Sequence, residues 1–329
     1  MPKFLIIRFS SIGDIVLATP VIRCLKKQVA GAEVHFVTKK SFAPILIPNP
    51  YIDKLHLHED DLQATIAKLK SEHFDYIIDL HHNLRTLRVK WGLGVKSFSF
   101  DKLNFAKWKL TALKINHLPD KHIVDRYLET LKGFGVKNDG QGLDYFIDEK
   151  DKVNLEALPE TFRNGYAALV IGAARATKQL PFAQLDELCK QFPQPIILLG
   201  GPDDAATGEA LALKYEHAFS ACGKFKLGQS ADLVRQARFV ITHDTGLMHI
   251  AAAFQKPIIS IWGNTVPDFG MGPYYKNNKG PFSKSFEVEG LSCRPCSKIG
   301  YKKCPIGHFN CMVQQDIKDI AKTGISLFS

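Results

Sequence analysis

The sequence predicts an α/β protein with two Rossmann-like domains, each built on a doubly wound parallel sheet. Short apolar runs alternate with helical patterns along the first half, and the same alternation starts again after a break. Two of the apolar runs, Phe4–Ile7 and Phe239–Ile241, end in small polar residues that lead directly into a helical pattern. In parallel α/β sheets ligands bind at such strand ends. The two loops, Ser10–Asp14 and Asp244–His249, therefore predict two half-sites.

The first half of the chain contains four predicted strands and four predicted helices. Continuous or alternating apolar runs mark the strands, and apolar residues at helical spacing mark the helices. The strands are Phe4–Phe9, Val34–Val37, Lys54–His58 and Tyr76–Leu80. The helices are Asp14–Val29 with a kink at Pro20, Asp61–His73, Asn104–Leu113 and Lys121–Phe134. Together they define a predicted first domain, residues 1–155.

A break in this rhythm over residues 138–164, with several Gly and Pro residues and a charged cluster, predicts the linker between the domains. The strands beyond it are Ala167–Ile171, Pro195–Leu199, Phe239–Thr242 and Pro257–Trp262. The helices are Phe182–Gln191, Asp204–Tyr215, Ala231–Gln236 and Gly246–Phe254, with a final helix over Val313–Leu327. Residues 156–312 are thus a predicted second domain, followed by a C-terminal helix in residues 313–329.

Positive charge is concentrated in one stretch of this 329-residue chain, whose formal net charge is +10. Between Leu84 and Asn138, twelve Lys and Arg residues face only four Asp and Glu residues. A field of this sign attracts a phosphorylated glycolipid, an acidic membrane face or nucleic acid, although a merely solubilising surface explains it as well. No run approaches the ~20 apolar residues of a membrane span. The seven cysteines are an odd number, which argues against a secreted protein held by disulfides, so we expect a cytosolic protein. Its basic side leads us to expect contact with the inner face of the inner membrane.

The loop after the first strand carries a candidate catalytic carboxylate. Gly13 permits a tight turn, and Asp14 stands at the start of the following helix. Asp14 is either a general base or a first-turn acid that the helix dipole favours. Ser10 and Ser11 are candidate contacts to an acceptor or a phosphate. The loop lacks the further glycines of a dinucleotide-binding fingerprint.

The loop after Phe239–Thr242 suits a diphosphate. Thr245 and Gly246 expose backbone N–H groups at a helix start, where the dipole favours negative charge. His249 contacts a phosphate or a ribose, or else packs inside the helix. Asp244 holds a sugar hydroxyl, or else caps the helix.

Further loops add candidate contacts on the same side of each sheet. Thr177 and Lys178 follow one strand, and Lys178 is a candidate partner of a leaving phosphate or a solvated loop lysine. Gly200–Asp204 follows the next strand. An acid in this loop accepts hydrogen bonds from a ribose or a base, or else caps the following helix. In the first half, His81–Arg85 brings imidazole and guanidinium groups, and we expect Asn83 and Arg85 to bind an anionic acceptor sugar.

These loops together resemble the heptosyltransferase-type glycosyltransferases of family nine. The matching residues are Arg8–Asp14 with Thr19 and Pro20, Asp75–Asp79 with Asn83 and Arg85, Lys178, Gly200–Asp203, and Asp244–His249 with Ala251 and Ala252. The resemblance implies a GT-B fold whose two domains face a cleft, and a C-terminal helix that returns to the first domain. It also implies inverting, metal-independent transfer of a heptose from ADP-heptose to a lipopolysaccharide core.

The resemblance also assigns roles to particular residues. Asp14 corresponds to the catalytic base, and Lys178, Asp203 and Asp244–Leu247 correspond to the donor-binding set. The expected partners are a nucleotide-sugar donor and an anionic glycolipid acceptor, with no nucleic acid. An inverting transfer needs one carboxylate to take the acceptor's proton, and Lys178 with the helix start can stabilise the leaving diphosphate without a divalent ion. No cofactor is therefore expected for catalysis.

A cluster of four cysteines lies near the C-terminus. Cys293 and Cys296 have the spacing of zinc ligands, and Cys304 and Cys311 follow. The cluster predicts a structural Zn²⁺ site, with free thiols or a redox-sensitive pair as the alternatives.

Three other functions stay open at this point. One is a GT-B enzyme with another donor, such as a UDP-hexose, and another is a nucleotide-sugar epimerase. The third is a nucleic-acid-binding protein built on the basic stretch, its aromatic residues and a zinc knuckle. The last function needs neither of the two loops, so the loops favour the transferase.

Overall fold

The computed structural model describes the backbone of residues 1–329 and every side chain except that of Asn278. It has eleven strands in two parallel sheets. The strands are β1 (Lys3–Ile7), β2 (Glu33–Lys39), β3 (Lys54–His58), β4 (Tyr76–Asp79), β5 (Lys96–Ser99), β6 (Ala167–Val170), β7 (Ile196–Leu199), β8 (Ala218–Ser220), β9 (Phe239–His243), β10 (Ile258–Trp262) and β11 (Ser283–Glu287).

The α-helices connect and flank these strands. They are α1 (Ile12–Leu17), α2 (Thr19–Gln28), α3 (Leu62–Lys70), α4 (Leu84–Leu93), α5 (Asn104–Trp108), α6 (Ile123–Leu128), α7 (Glu160–Arg163), α8 (Phe182–Gln191), α9 (Ala205–Lys214), α10 (Leu227–Gln236), α11 (Gly246–Ala253), α12 (Asn310–Val313) and α13 (Ile317–Phe328). Across the described part of the chain, no helix has the length and apolar character needed to cross a membrane.

The first sheet has five parallel strands in the order β3-β2-β1-β4-β5. In its register Ile7, the last residue of β1, lies beside Val37 and Asp79. The loops that leave β1 and β4 therefore start side by side. The three central strands β2, β1 and β4 are largely buried, as expected for a parallel sheet, whereas the edge strands β3 and β5 are partly exposed.

The second sheet has six parallel strands in the order β11-β10-β9-β6-β7-β8. Strands β7, β6 and β9 are neighbours at its centre, and they are fully apolar apart from the end of β9. The three loops that carry Lys178, Asp203 and Asp244 follow these strands. Because the strands are parallel and adjacent, the three predicted donor loops all lie at the carboxyl ends of the strands of one sheet. The predicted architecture of two parallel-sheet domains is confirmed.

The two compact units have more complex boundaries than the sequence predicts. The first comprises residues 1–102, 121–146 and 276–278, and the second comprises residues 103–120, 147–275 and 279–329. The sequence predicts the boundary between residues 155 and 156, whereas in the structure the chain passes from the first unit to the second between residues 146 and 147. Buried Arg23 explains part of this, because its guanidinium binds the carboxylates of Asp139 and Asp144 and holds their segment against α2. On the other side, buried Asp232 accepts the backbone N–H of Val153 over 2.7 Å.

The C-terminal helix packs differently from the expectation. It was expected to return to the first domain, but α13 packs on α8 within the second unit. Ile317, Ile320 and Ala321 on its buried face join the core of that unit. Gly324 comes so close to Phe192 that an added Cβ would lie 3.0 Å from the ring. The apolar face of α13 is therefore already covered inside the second unit.

The predicted kink at Pro20 is confirmed as a break between two helices. Helix α1 ends at Leu17, and α2 starts at Thr19 with Pro20 in its first turn. Proline is tolerated there because the first N–H groups of a helix have no intrahelical partner. The break ends α1 after six residues, so Asp14 sits in the only full turn that precedes it.

Candidate active site

Asp14 is held at the start of α1 by three contacts to one carboxylate oxygen. The Ser11 backbone N–H and hydroxyl donate to Asp14 Oδ2 over 3.3 and 2.8 Å. Arg8 Nη2 lies 2.6 Å from the same atom. In the described part of the chain, these contacts leave Oδ1 as the oxygen available to take a proton. The Asp14 side chain is 18% exposed, so an incoming molecule can reach it.

Arg8 is the buried anchor of this loop. Its Nε donates to the Ser10 carbonyl over 2.7 Å, and its Nη1 donates to the Tyr127 hydroxyl over 3.0 Å and to the Leu80 carbonyl. Its guanidinium therefore joins the ends of β1 and β4 to α6. An arginine suits this position because its planar fork offers five donors and stays charged.

The electrostatics keep Asp14 ionised. Burial alone would raise the pKa of the Asp14 carboxyl, but the Arg8 charge and the hydrogen bonds from Ser11 outweigh burial and hold the pKa below its ordinary value. A carboxylate that is ionised at neutral pH, with one oxygen unoccupied, can accept a proton from a hydroxyl. Asp14 is thus the acid of a capping box on α1, and its second oxygen is still able to accept a proton.

The loop after β4 is organised by fully buried Asp79. Its Oδ1 accepts the N–H groups of His81 and His82 over 3.0 and 2.7 Å, and its Oδ2 accepts the Thr86 hydroxyl over 2.8 Å. Burial first, and then the charges of Arg8 and Lys102, lower the pKa of the His81 imidazole to about 4. His81 is therefore neutral at pH 7, and its Nδ1 has no hydrogen-bond partner among the described residues.

The structure assigns more specific positions to the predicted acceptor residues. Asn83 is the N-cap of α4, and its side-chain oxygen accepts the Thr86 N–H over 3.0 Å, so only its amide nitrogen is left for a ligand. The Arg85 guanidinium lies over the Phe9 ring, 5.4 Å from its centre. Ser10 is half-buried, Ser11 is exposed, and Gly13 is buried in the first turn of α1.

In the second unit, Lys178 and Asp244 form an ion pair instead of standing apart. Lys178 Nζ lies 2.5 Å from Asp244 Oδ2, and the Thr265 hydroxyl donates to the same oxygen over 2.9 Å. The side chains of Lys178 and Asp244 are 16% and 12% exposed. Lys178 keeps donor capacity for a phosphate because an ammonium has three protons. The pair thus brings two of the predicted donor residues together.

The start of α11 is the accessible part of the predicted diphosphate loop. Residues Asp244–Leu247 are partly exposed, whereas Met248 and His249 are buried. Thr245 is the N-cap, yet its own side chain makes no capping hydrogen bond to the first N–H groups of the helix. They remain available to an anion. His249 is 2% exposed, so the packed interpretation fits it better than direct contact with a ligand.

Thr177 has a different role from the one that the sequence predicts. Its hydroxyl accepts the Tyr301 N–H over 2.8 Å and donates to the Tyr301 carbonyl over 3.2 Å, and it is 2% exposed. With both hydrogen-bonding functions used, Thr177 anchors the Lys178 loop to the C-terminal segment. It is not placed to bind a donor.

Asp203 and Asp204 divide the roles that the sequence predicts for one acid. Asp203 is exposed, as a ligand contact requires. Asp204 Oδ2 accepts the Gly201 N–H over 2.8 Å. Burial, and then the neighbouring Asp203 charge, raise the pKa of Asp204. A Cβ on Gly172 would lie 2.1 Å from Asp204 Oδ2, so any larger residue where the loop after β6 meets this carboxylate would displace the Asp204 side chain.

His243 is hydrogen-bonded to the segment that follows Lys178. It is fully buried at the end of β9, and its Nε2 accepts the Leu180 N–H over 3.0 Å. Burial lowers the pKa of His243 to about 4, so the ring is neutral and Nε2 can act as acceptor. Sequence reasoning missed His243, Tyr127 and Thr265, since only spatial proximity shows their roles. Arg8 was named there among the residues that match the family, but its contact with Asp14 appears only in the structure.

The four cysteines of the predicted zinc site line one cavity of about 200 Å³ in the second unit. Thr177 and His308 line it too. All four cysteines are free thiols. Within the described part of the chain, no three of the sulfurs lie within 4.8 Å of one another. The thiols converge, but as placed they do not form a closed tetrahedron.

Comparison with known proteins identifies relatives that match most of the chain. The model of glycosyltransferase family 9 (heptosyltransferase) matches residues 63–299. The lipopolysaccharide heptosyltransferase 1 of Campylobacter coli is 26% identical over 300 residues, which cover 84% of this chain and 86% of the relative.

Solved structures show the same fold. The ADP-heptose heptosyltransferase II of Escherichia coli aligns with a TM-score of 0.72 and 18% identity, and the alignment covers 99% of this chain and 98% of that one. The Escherichia coli heptosyltransferase WaaC with ADP aligns with a TM-score of 0.66 and 22% identity, over 91% of this chain and 96% of that one. Both likenesses support the GT-B architecture predicted from the sequence.

Proposed function

The chain belongs to glycosyltransferase family 9, and from this premise we propose that it transfers a heptose from ADP-heptose to a lipopolysaccharide core acceptor with inversion at the anomeric carbon. The family match spans residues 63–299 and favours a glycosyltransferase over the nucleic-acid-binding alternative. A related structure holds ADP, which supports an adenine nucleotide as the leaving group. The observation that carries the proposal is the ionised Asp14 carboxylate with its free Oδ1.

In the proposed reaction, an acceptor hydroxyl oxygen forms a bond to the anomeric carbon while the bond from that carbon to the diphosphate oxygen breaks. Asp14 Oδ1 takes the hydroxyl proton. Arg8 keeps the carboxylate ionised and fixed, so the base needs no reorganisation during the step. ADP leaves with the electron pair of the broken bond.

The second unit supplies the donor contacts in this proposal. The ammonium of Lys178 and the N–H groups at the start of α11 stabilise the charge that develops on the leaving diphosphate. Asp244 accepts a sugar hydroxyl and holds Lys178 in position. Asp203 binds the ribose. The Lys178 ammonium and the start of α11 supply positive potential without a divalent ion, which is why we propose metal-independent chemistry.

For the acceptor we propose an anionic glycolipid core bound by Ser10, Ser11 and Arg85, with the amide nitrogen of Asn83 as a further donor. The guanidinium of Arg85 and the basic stretch from Leu84 to Asn138 favour a phosphate- or carboxylate-bearing sugar. The same positive charge supports peripheral contact with the inner face of the inner membrane as part of the proposal.

A structural metal ion at the four cysteines completes the proposal. Cys293, Cys296, Cys304 and Cys311 line one cavity and offer a four-thiolate donor set of the kind that binds Zn²⁺. An ion there would hold the segment that contains Tyr301, and Tyr301 anchors Thr177 beside Lys178. The metal would thus stabilise the donor loop without taking part in the reaction.

The test is calorimetric titration of the full chain with ADP-heptose, UDP-glucose and GDP-mannose, followed by a transfer assay with a heptose-accepting core glycolipid. We expect binding of ADP-heptose alone and a product of inverted configuration. Preference for UDP-glucose would support the hexosyltransferase alternative instead. Salt-dependent binding of oligonucleotides without any sugar-nucleotide binding would overturn the proposal.

A further inference from the structure

A cluster of two histidines and one glutamate lies in the first unit, apart from the loops that follow β1 and β4. His35 is on β2, His56 is on β3, and Glu72 follows α3. One ligand atom from each residue lies within 4.8 Å of the others, and among the described residues this is the only group of three or more His, Cys, Asp or Glu side chains that does so. We propose that His35, His56 and Glu72 bind a divalent transition-metal ion, with zinc as the best fit.

The pairing of β2 with β3 explains why the two rings meet. His35 lies beside Lys54, and Val37 lies beside His56, so both histidines point to the same face of the sheet. The two residues are diagonal neighbours on adjacent strands, and His35 Nδ1 lies 2.9 Å from His56 Nε2. Two nitrogens bound to one metal ion at ~2.0–2.1 Å lie roughly 3.0–3.4 Å apart. A small rotation of either ring would give this spacing.

Glu33 orients the first ring as a metal ligand requires. Its carboxylate lies 2.7 Å from His35 Nε2, which therefore carries the proton and donates to Glu33. The lone pair of His35 is then on Nδ1, toward His56 and Glu72. Histidine ligands of metals commonly donate their second N–H to a carboxylate in this way.

Glu72 supplies the carboxylate ligand. Its Oε2 lies 3.9 Å from His35 Nδ1, and its Oε1 pairs with Lys54 Nζ at 2.6 Å. The Lys54 contact holds the side chain and leaves Oε2 directed at the two rings. His35 is 1% exposed and Glu72 is 17% exposed, so one side of the cluster is open to an ion from solvent.

The chemistry of the three donors selects the ion. Two imidazole nitrogens and one carboxylate oxygen suit Zn²⁺ and its neighbours Co²⁺ and Ni²⁺, whereas Mg²⁺ and Ca²⁺ prefer oxygen ligands throughout. The Phe74 ring packs edge-to-face with both imidazoles and limits their rotation. No residue of the cluster belongs to the proposed catalytic set, so an ion here would stabilise the β2–β3 edge of the sheet.

The experiment measures Zn²⁺ binding to the full-length chain, stripped with a chelator, by competition with a chromophoric zinc indicator. A background variant with Cys293→Ser and Cys296→Ser removes the cysteine site from the count. We expect this background to bind one zinc ion, and Glu72→Gln or His56→Asn to weaken its affinity more than ~10-fold. Glu33→Gln leaves all three ligands in place and should weaken the affinity by ~10–100-fold.

His73→Asn is the matched control, because His73 is exposed beside Glu72 and asparagine tolerates its positive φ of 53°. This variant should bind zinc as the background does. Circular dichroism verifies that each variant is folded. If His56→Asn does not fold, the comparison with Glu72→Gln still tests the proposal. A background chain that binds no zinc overturns the proposal. Equal affinity in the background, Glu72→Gln and His73→Asn chains also overturns it.

Discussion

Arg8 Nη2 lies 2.6 Å from Asp14 Oδ2, and this ion pair joins the end of β1 to the first turn of α1. The guanidinium is buried and makes further hydrogen bonds to Ser10, Leu80 and Tyr127. The geometry of the carboxylate thus depends on the packing of β1, β4 and α6. The pair therefore links the fold of the first unit to the ionisation of its candidate base.

Replacement of Asp14 by asparagine should lower the transfer rate by at least ~100-fold, because asparagine fills the same space and cannot take a proton. Calorimetry should give nearly unchanged donor affinity. Asp61→Asn is the control: Asp61 caps α3 in the same unit, and asparagine caps a helix equally well. Near-normal turnover of Asp14→Asn would show that another group is the base.

Replacement of Arg8 by glutamine should move the acid limb of the pH profile of kcat/KM to higher pH. In the unaltered chain, Arg8 holds the pKa of Asp14 below its ordinary value. Activity that requires the ionised carboxylate therefore persists to low pH. Without the guanidinium the pKa rises, and protonation inactivates Asp14 at a higher pH. Arg8→Lys should shift the limb less, because it keeps the charge. A uniform loss of rate with an unmoved limb would indicate a purely structural role.

Lys178 and Asp244 should respond differently to substitution. Lys178→Ala should lower kcat by ~100-fold or more, since it removes a cation from the leaving diphosphate and leaves the Asp244 charge unpaired. Asp244→Asn should weaken the affinity for ADP-heptose more than the affinity for ADP, because the proposed sugar hydroxyl meets this carboxylate directly, whereas the diphosphate meets it only through Lys178. Titration with both ligands separates the effects. Lys190→Ala, an exposed lysine on α8, should change neither affinity.

Substitution of Gly172 by alanine should destabilise the second unit by about 1–3 kcal/mol, because the new Cβ would lie 2.1 Å from Asp204 Oδ2. Denaturant titration measures the free energy of unfolding. Gly272→Ala is the control in the same unit, since its added Cβ meets nothing within 4 Å. Equal stability of the two variants would show that Asp204 moves aside without cost.

Chelation with EDTA should leave the initial transfer rate unchanged, because Lys178 and the start of α11 stabilise the leaving group in the proposed mechanism. A slow loss of activity over longer incubation would reflect release of a structural ion, either from the cysteine cluster, with loosening of the Thr177–Tyr301 contact, or from the His35, His56 and Glu72 cluster. Elemental analysis of the purified chain, with Cys293→Ser as the comparison, identifies that ion. A prompt loss that Mg²⁺ restores would contradict metal-independent transfer.

Central strands were predictable, whereas three edge strands were missed. The runs that form β1, β4, β6, β7, β9 and β10 are buried and apolar, so their pattern is strong in sequence. By contrast, β5, β8 and β11 each lie at an edge of a sheet. They are short or polar, as in Ser283–Glu287, because an edge strand is half exposed. Helix α4 was missed for a related reason, since Leu84 and Trp91 on it are exposed.

The sequence by itself determined the α/β class, the two strand–loop–helix elements and the family, because each rests on residues that are close together in the chain. Only the tertiary structure decided which side chains act together. It paired Lys178 with Asp244 across 66 residues, tied Thr177 to Tyr301 across 124, and brought His35, His56 and Glu72 together from three elements. The physical reason is that ion pairs, hydrogen bonds and metal sites depend on distances in space, and strand order, which the local pattern leaves open, sets those distances.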